Sequence, residues 1–427
     1  MFITAIGMGL SLLFHVFIPR YIGINETADA LIASLKVVLI VDTIIREGAK
    51  FSLVPLFINE ANVNSRTHFR AFSYGLLNFS LCVSLVFMLL IEVFALQIAG
   101  FTLARSSADA HATMATLLRI SAPIVIFGTG STVLGALLNS KQRFKSVAIR
   151  NALPPALATA CFIFLPTEIH LVQYIAIAYT CGFVVYYCWL CTRIYQIGYG
   201  YSFSWITSEE LRTLKDTISY PTLGFAIRQI TARILVEVIL VGRIASGAIT
   251  LYNSAFKIFS AIQTLIGISI ATTGLPEMTA NSIEENKQKL KQTLLRNIRA
   301  VIIIAIPVTL LLLLSASFVT QFLFGGGKFD QQSLQTIGRV LVWLSVGTVF
   351  SCLIPVLNAG LYAQKAFKLI FRNMLTMAVI NFVVAYMLVT VWELNGIAIT
   401  VSVTAFLAVS NLIFLLRKTG VSLYSKS

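Results

Sequence analysis

The chain has 427 residues, of which 57% are hydrophobic and 11% charged, and its mean hydropathy is +0.86. A soluble domain carries about 25% charged residues, so these few charges cannot cover a water-exposed surface of this size, and lipid must be the solvent for most of it. The net charge of +15 excludes nucleic-acid binding only through its placement, which follows a membrane pattern.

Apolar runs of about 20 residues recur along the whole length, as helical membrane spans require. They are continuous rather than alternating, and they exceed the ~10 residues of a barrel strand. The pattern predicts an all-α polytopic membrane protein of about twelve transmembrane helices. These spans, one to twelve, fall at roughly 2–18, 30–58, 74–100, 113–138, 146–165, 170–192, 217–241, 247–275, 298–324, 335–361, 370–391 and 394–416. The first run, Met1 to Ile18, lacks a basic n-region and a small-x-small site ahead of Pro19 and Arg20, and reads as a retained helix. Gly48 and Pro55 break span two. Cys188 and Cys191 form a C-x-x-C, but the motif sits in the apolar run of span six, where cysteines read as small packing residues.

The loops divide by charge. One side holds Arg66 and Arg70, then Lys141, Arg143, Lys145 and Arg150, then Arg193, Arg212 and Lys215. The same side holds Lys287, Lys289, Lys291, Arg296 and Arg299, then Lys365, Lys368 and Arg372, and finally Arg417, Lys418 and Lys426. These are twenty cations, against five on the other side, Arg20, Arg105, Arg243, Lys328 and Arg339. The positive-inside rule then puts both termini in the cytoplasm of a multi-pass inner-membrane protein, with its basic loops at the anionic leaflet.

The two longest loops are both cytoplasmic, Arg193 to Asp216 and Glu277 to Arg299. The first divides the chain into an N-terminal six-helix bundle over 1–200 and a C-terminal one over 201–427. The halves look related. Leu137 to Asn151 reads LLNSKQRFKSVAIRN and Gly360 to Asn373 reads GLYAQKAFKLIFRN, both with Phe-Lys and then Arg-Asn at the cytoplasmic end of a helix. Such parallel repeats occur in transporters whose substrate path runs between two bundles.

Charges inside the spans are the strongest functional lead, because one at the bilayer centre costs at least ~2.5–3.5 kcal/mol. In span two, at about 100° per residue, Lys36, Glu47 and Lys50 fall within roughly 60° of one another, and Asp29 shares their face. The face should line a wet space, or carry pairs that snorkel near the helix ends. In span seven, Arg233 and Glu237 are spaced to pair at i, i+4, with Arg228 and Gln229 one turn earlier. In span eight, Asn253 and Lys257 share a face and no acid lies nearby in sequence. Arg119 in span four can snorkel to the outer surface. A basic cavity formed by these groups suits a phosphate or pyrophosphate headgroup rather than a cation path. No catalytic constellation is present, and no cofactor or metal is implied. His15, His68, His111 and His170 are scattered, and Gly325-Gly326-Gly327-Lys328 lacks P-loop spacing. The chain therefore reads as a transporter rather than an enzyme.

Six stretches carry a family resemblance. They are Thr27 to Lys36 (TADALIASLK), Arg46 to Phe57 (REGAKFSLVPLF), Ala122 to Phe144, Leu251 to Met278 ending in a Leu-Pro, Phe322 to Asp330 (FLFGGGKFD) and Gly360 to Asn373. In this order they resemble the MviN/MurJ group of lipid-linked oligosaccharide flippases, in the superfamily that also holds Wzx-type flippases and MATE multidrug exporters. The resemblance implies a V-shaped fold of two bundles. It also implies transfer of an undecaprenyl-pyrophosphate-linked glycan, such as lipid II, across the inner membrane by alternating access, as in peptidoglycan and cell-wall biogenesis. The implied partners are that lipid-linked substrate, membrane lipids and glycan-synthesis enzymes. The substrate-binding residues on this reading are Lys36, Lys50, Asp29, Lys257, Asn253, Arg228, Arg233 and Glu237.

The chain departs from the family pattern at several positions. Met8, Phe14 and Thr43 stand where the family brings arginines into its cavity. Lys257 replaces the eighth-helix arginine, and Phe256 stands where the family has Asp. The family usually has fourteen helices. A Wzx-type flippase for an exopolysaccharide or O-antigen, a cation-coupled exporter and a non-transporting scaffold of a glycan-synthesis complex are the competing readings.

Overall fold

The computed structural model describes residues 2–63, 65–165, 170–283 and 286–421. The described residues are helical wherever a span was expected. Span one is Phe2–Phe17, span two Glu26–Val63 and span three Arg66–Val93. Span four runs as Ala108–Ser121 and Ile124–Ser140, and span five ends with Leu153–Phe164. Span six is Leu171–Gln196. Span seven begins as Ser208–Gln229 and continues as a wider-wound helix, Ile230–Leu240. Span eight opens with Ala248–Gln263 and closes with Ser269–Ile283, and span nine is Lys287–Phe324. Span ten is a pair, Gln331–Val346 and Thr348–Ala363, bent by 47°.

Spans eleven and twelve form one helical stretch, Phe367–Lys418, broken at Glu393, where φ is 49° and ψ −126°. That left-handed backbone reverses the chain. Asn411 donates to Asn373 Oδ1 at 2.7 Å and Asn381 to Thr404 Oγ1 at 3.4 Å. Both pairings centre on the break, so the two halves form an antiparallel hairpin.

Among the described residues, seven helices are long and apolar enough to cross a membrane alone, and the bent pair makes an eighth. Span one is a shorter apolar helix, and spans two and seven are not among them either. Spans two and seven both carry several charged residues, each costly if it faces lipid.

The chain forms two compact units, Met1–Gln229 and Ile230–Ser427. The division falls within span seven, later than the 200/201 boundary expected from loop length, because Ser208–Gln229 packs against span two. Phe57, Phe69, Leu134, Leu137, Tyr186 and Leu190 lie in the core of the first unit. Val301, Ala305, Cys352, Val356, Leu412 and Leu416 lie in that of the second. Outward faces are apolar too, as lipid contact demands: on span nine Leu311 is 62% exposed and Leu314 89%. Of the cysteines, Cys352 is buried, while Cys188 and Cys191 are free and exposed on span six, so that C-x-x-C faces outward rather than into the core.

The internal repeat is visible in the backbone. Gln142 and Lys365, two residues before Phe144 and Phe367, have φ of 60° and 53°. Span four ends with Arg143 N–H donating to Leu138 O at 2.9 Å, and span ten with Ala366 N–H donating to Leu361 O at 3.1 Å. Each is the same helix-ending motif, in which a left-handed residue lets the chain satisfy the last carbonyls. A non-glycine residue is uncommon in that conformation, so its recurrence at matched positions supports a duplicated unit.

Candidate functional site

In the first unit, span two carries two separate charged faces. Asp29 is 1% exposed. Lys36 follows seven residues later on the same side and is half-buried, with Ala30 to Leu35 buried between them. Arg46 and Glu47 pair loosely, at 3.6 Å, on a half-buried stretch. The side chain of Lys50 lies outside the described residues.

Asp42 points elsewhere, about 120° around the helix from Lys36. Its carboxylate accepts a hydrogen bond from Arg150 Nη2. Arg150 Nη1 donates to Thr132 Oγ1 at 3.1 Å, and the guanidinium lies 5.6 Å from the Phe183 ring centre and 6.0 Å from that of Tyr186. The cluster ties spans two, four, five and six. Span four makes room with Gly128, where an added Cβ would lie 2.4 Å from Asp42 Oδ1. Arg150 was expected among the cytoplasmic loop cations. The single turn Ile149–Asn151 instead turns its side chain into the bundle, where it is 9% exposed. Its repeat counterpart, Arg372, is exposed.

In the second unit, Arg233 Nη1 donates to both carboxylate oxygens of Glu237, at 2.8 and 2.9 Å. Their helix, Ile230–Leu240, is wound in the wider π form, which recurs at functional sites. The Glu237 side chain is 5% exposed and that of Arg233 36%. The Arg233 guanidinium lies 4.7 Å from the Phe256 ring centre, and Phe256 stacks on Tyr252 at 5.6 Å. Phe256 therefore supplies a π-face where the family pattern has a carboxylate, and Glu237 supplies the counter-charge.

One turn of span eight then bears Asn253, 1% exposed, and Lys257, half-buried. Asn253 Oδ1 and Tyr252 Oη are buried polar atoms with no hydrogen-bond partner among the described residues. Arg228, in the first unit, is exposed and lies 5.3 Å from the Phe225 ring centre.

The structure thus brings together Arg233 and Glu237 with the aromatic pair of span eight, and sets Asn253 beside Lys257 on one face. It places Asp29 and Lys36 on a common face of span two. The Asp42–Arg150–Thr132 cluster was missed, because its members lie far apart in sequence and Arg150 borders a run of loop cations.

The two helical units, with charged residues inside apolar spans, share their fold with membrane transporters of known structure. Among solved structures, an inward-closed lipid II flippase MurJ aligns with a TM-score of 0.84 at 17% identity, covering 97% of this chain and 87% of that one. An inward-facing MATE-family multidrug resistance transporter of the MOP superfamily aligns with a TM-score of 0.75 at 14% identity, covering 98% and 96%. A sequence profile of the family described as lipid II flippase MurJ matches residues 18–426, and the chain belongs to that family. The lipid II flippase MurJ of Burkholderia cenocepacia is 22% identical over 419 residues, 95% of this chain and 80% of that protein. A probable lipid II flippase MurJ of Buchnera aphidicola is 22% identical over 435 residues, 97% and 81%. The chain is a multi-pass protein of the bacterial inner membrane.

Proposed function

We propose that this protein moves lipid II, or a closely related undecaprenyl-pyrophosphate-linked glycan, from the inner to the outer leaflet by alternating access, without catalysing a covalent step. Family membership supports the class of cargo. The observation that carries the mechanism is the half-buried Lys257 beside the buried Asn253, held within an apolar helix of the second unit. A cation and an amide at that depth suit a phosphate oxygen, which accepts charge-assisted hydrogen bonds. Lys36, and with it Lys50, would serve the same end in the first unit. Asp29 would limit the local positive charge, so that the headgroup can also leave. Arg228 and the Arg233–Glu237 pair complete the proposed set. With Arg150 buried against Asp42, about nineteen loop cations against five still support cytoplasmic termini and entry of cargo from the cytoplasmic leaflet.

A glycan other than that of lipid II is favoured by one observation. Phe14, which stands where the family has an arginine, is fully buried and packs 5.4 Å from Tyr179 and 6.2 Å from Phe162, ring to ring. That position therefore contributes core rather than charge.

The test is leaflet transfer of a fluorescent lipid II in proteoliposomes. Losing one charged hydrogen bond costs ~1.5–3 kcal/mol, so Lys257→Ala and Lys36→Ala should each slow transfer about tenfold or more, and Lys257→Arg should retain most of it. Equal transfer by all variants would remove the site assignment. Transfer of a different pyrophosphate-linked glycan but not lipid II would select the second reading. A well-folded protein that transfers none of them would select the scaffold.

A further inference from the structure

The segment between spans six and seven is not a free loop. From Gly198 to Thr207 it runs without helix along the first turns of span three. Three side chains spaced four residues apart on that helix bond to it. Tyr74 Oη donates to Tyr199 O at 2.6 Å, Arg70 Nη2 to Tyr201 O at 3.1 Å and Asn78 Nδ2 to Ser204 O at 2.8 Å. Tyr201 Oη donates back to Asn78 Oδ1 at 3.2 Å, and the rings of Tyr74 and Tyr201 meet edge to face at 5.1 Å. Gly75 lets the backbones touch, since a Cβ there would lie 3.0 Å from Ile206 N.

Extended chain has a side-chain period of two, and here the period sorts chemistry. Ser202, Ser204 and Ile206 are covered to different degrees, while Tyr201, Phe203 and Trp205 are 61%, 79% and 53% exposed. Three successive outward aromatics would present a large apolar area to water. Tyr74 and Asn78 open the apolar run of span three, so the strap lies where headgroups give way to acyl chains. Irregular backbone is tolerated at such depth only when its polar groups are satisfied by protein, and the span-three ladder supplies partners for three of its carbonyls.

Arg70 and Lys141 adjoin the strap, and Arg193 precedes it by five residues. Lys141 Nζ lies 4.7 Å from the Phe69 ring centre and 5.5 Å from that of Tyr199, and the Arg193 guanidinium lies 4.0 Å from the Trp189 ring centre. We infer that the 198–207 strap is an interfacial anchor, in which Tyr201, Phe203 and Trp205 enter an anionic lipid leaflet while Arg70, Lys141 and Arg193 meet its phosphates. Aromatic rings favour that depth, and basic groups beside it attract anionic lipid. The inference rests on the membrane reading of the chain and not on the identity of its cargo.

The test uses the whole protein in phosphatidylglycerol-containing vesicles. The difference in emission between wild type and Trp205→Phe isolates Trp205. Lipids brominated near the top of the acyl chain should quench it about threefold more than aqueous iodide does, as expected for a ring in the interface. Brominated phosphatidylglycerol should quench it more than brominated phosphatidylcholine. Asn78→Ala, which frees one strap carbonyl, should raise its iodide quenching. Quenching by iodide as strong as for free tryptophan would overturn the inference and leave the aromatic face to a protein partner. Equal quenching by the two brominated lipids would overturn its anionic specificity.

Discussion

The carboxylate of Asp42 in span two accepts a hydrogen bond from the guanidinium of Arg150, 108 residues further on, and their side chains are only 5% and 9% exposed. Both charges are withdrawn from water and lipid, so each depends on the other. Removing one partner of a buried pair strands the other and costs ~3–5 kcal/mol, whereas replacing both by apolar groups of similar volume is far cheaper. We predict that Asp42→Leu and Arg150→Met will each lower the thermal midpoint in detergent markedly, and that the double variant will recover most of the loss. Additive losses would show that the pair is not the source of the effect.

Gly128 belongs to the same cluster. A methyl group there would lie 2.4 Å from Asp42 Oδ1, so the ion pair or the span-two backbone must move. Overpacking of this kind costs ~1–3 kcal/mol. Gly128→Ala should therefore destabilise the wild type but add little in an Asp42→Ala background, because contacting sites couple. Unfolding of the four proteins in the cycle measures that coupling, and equal costs in both backgrounds would contradict the contact.

The spans were readable because lipid imposes a local rule, with every backbone group satisfied within its own helix. Even the break between spans eleven and twelve was placed within two residues of Glu393. The Arg233–Glu237 pair was readable for the same reason, as its members sit one turn apart. The Asp42–Arg150 pair was not, because proximity across four helices leaves no spacing signal in sequence. The strap was also hidden: the alternation Tyr201, Phe203, Trp205 was present in the sequence, but the partners that hold it lie on span three. The repeat was legible in residue types. Its strongest support, the left-handed Gln142 and Lys365, came from backbone geometry that residue types do not reveal.

Arg233 and Glu237 differ in exposure, and that decides which loss is worse. Glu237→Gln leaves a guanidinium that is 36% exposed and still lies over Phe256, so it can hydrate in place. Arg233→Met leaves a carboxylate that is 5% exposed and takes away the two charged hydrogen bonds it accepts from Arg233. We predict that Arg233→Met will be the more destabilising by ~1–3 kcal/mol, measured by thermal unfolding in detergent. The reverse order would mean that the arginine is held by something other than Glu237.

Acid should loosen the outer end of span two. Glu26 accepts hydrogen bonds from the Ser107 hydroxyl and, at 3.1 Å, from the Ser107 backbone N–H. Ser107 also caps the first helix of span four, accepting from Ala110 N–H. The side-chain bond first, and the backbone bond second, hold the Glu26 carboxyl below its ordinary value. A carboxyl whose pKa is depressed on folding stabilises the fold above its unfolded pKa, and that contribution is lost as pH falls through the folded value. The window therefore opens near the ordinary carboxylate pKa of about 4.3 and extends below it. Between pH 7 and pH 3 the wild type should lose more thermal stability than Glu26→Gln, which has no proton to take up at this position. Ser107→Ala should flatten the profile in the same way. Profiles for both variants that run parallel to the wild type would show that the Glu26–Ser107 contact does not act in the folded protein.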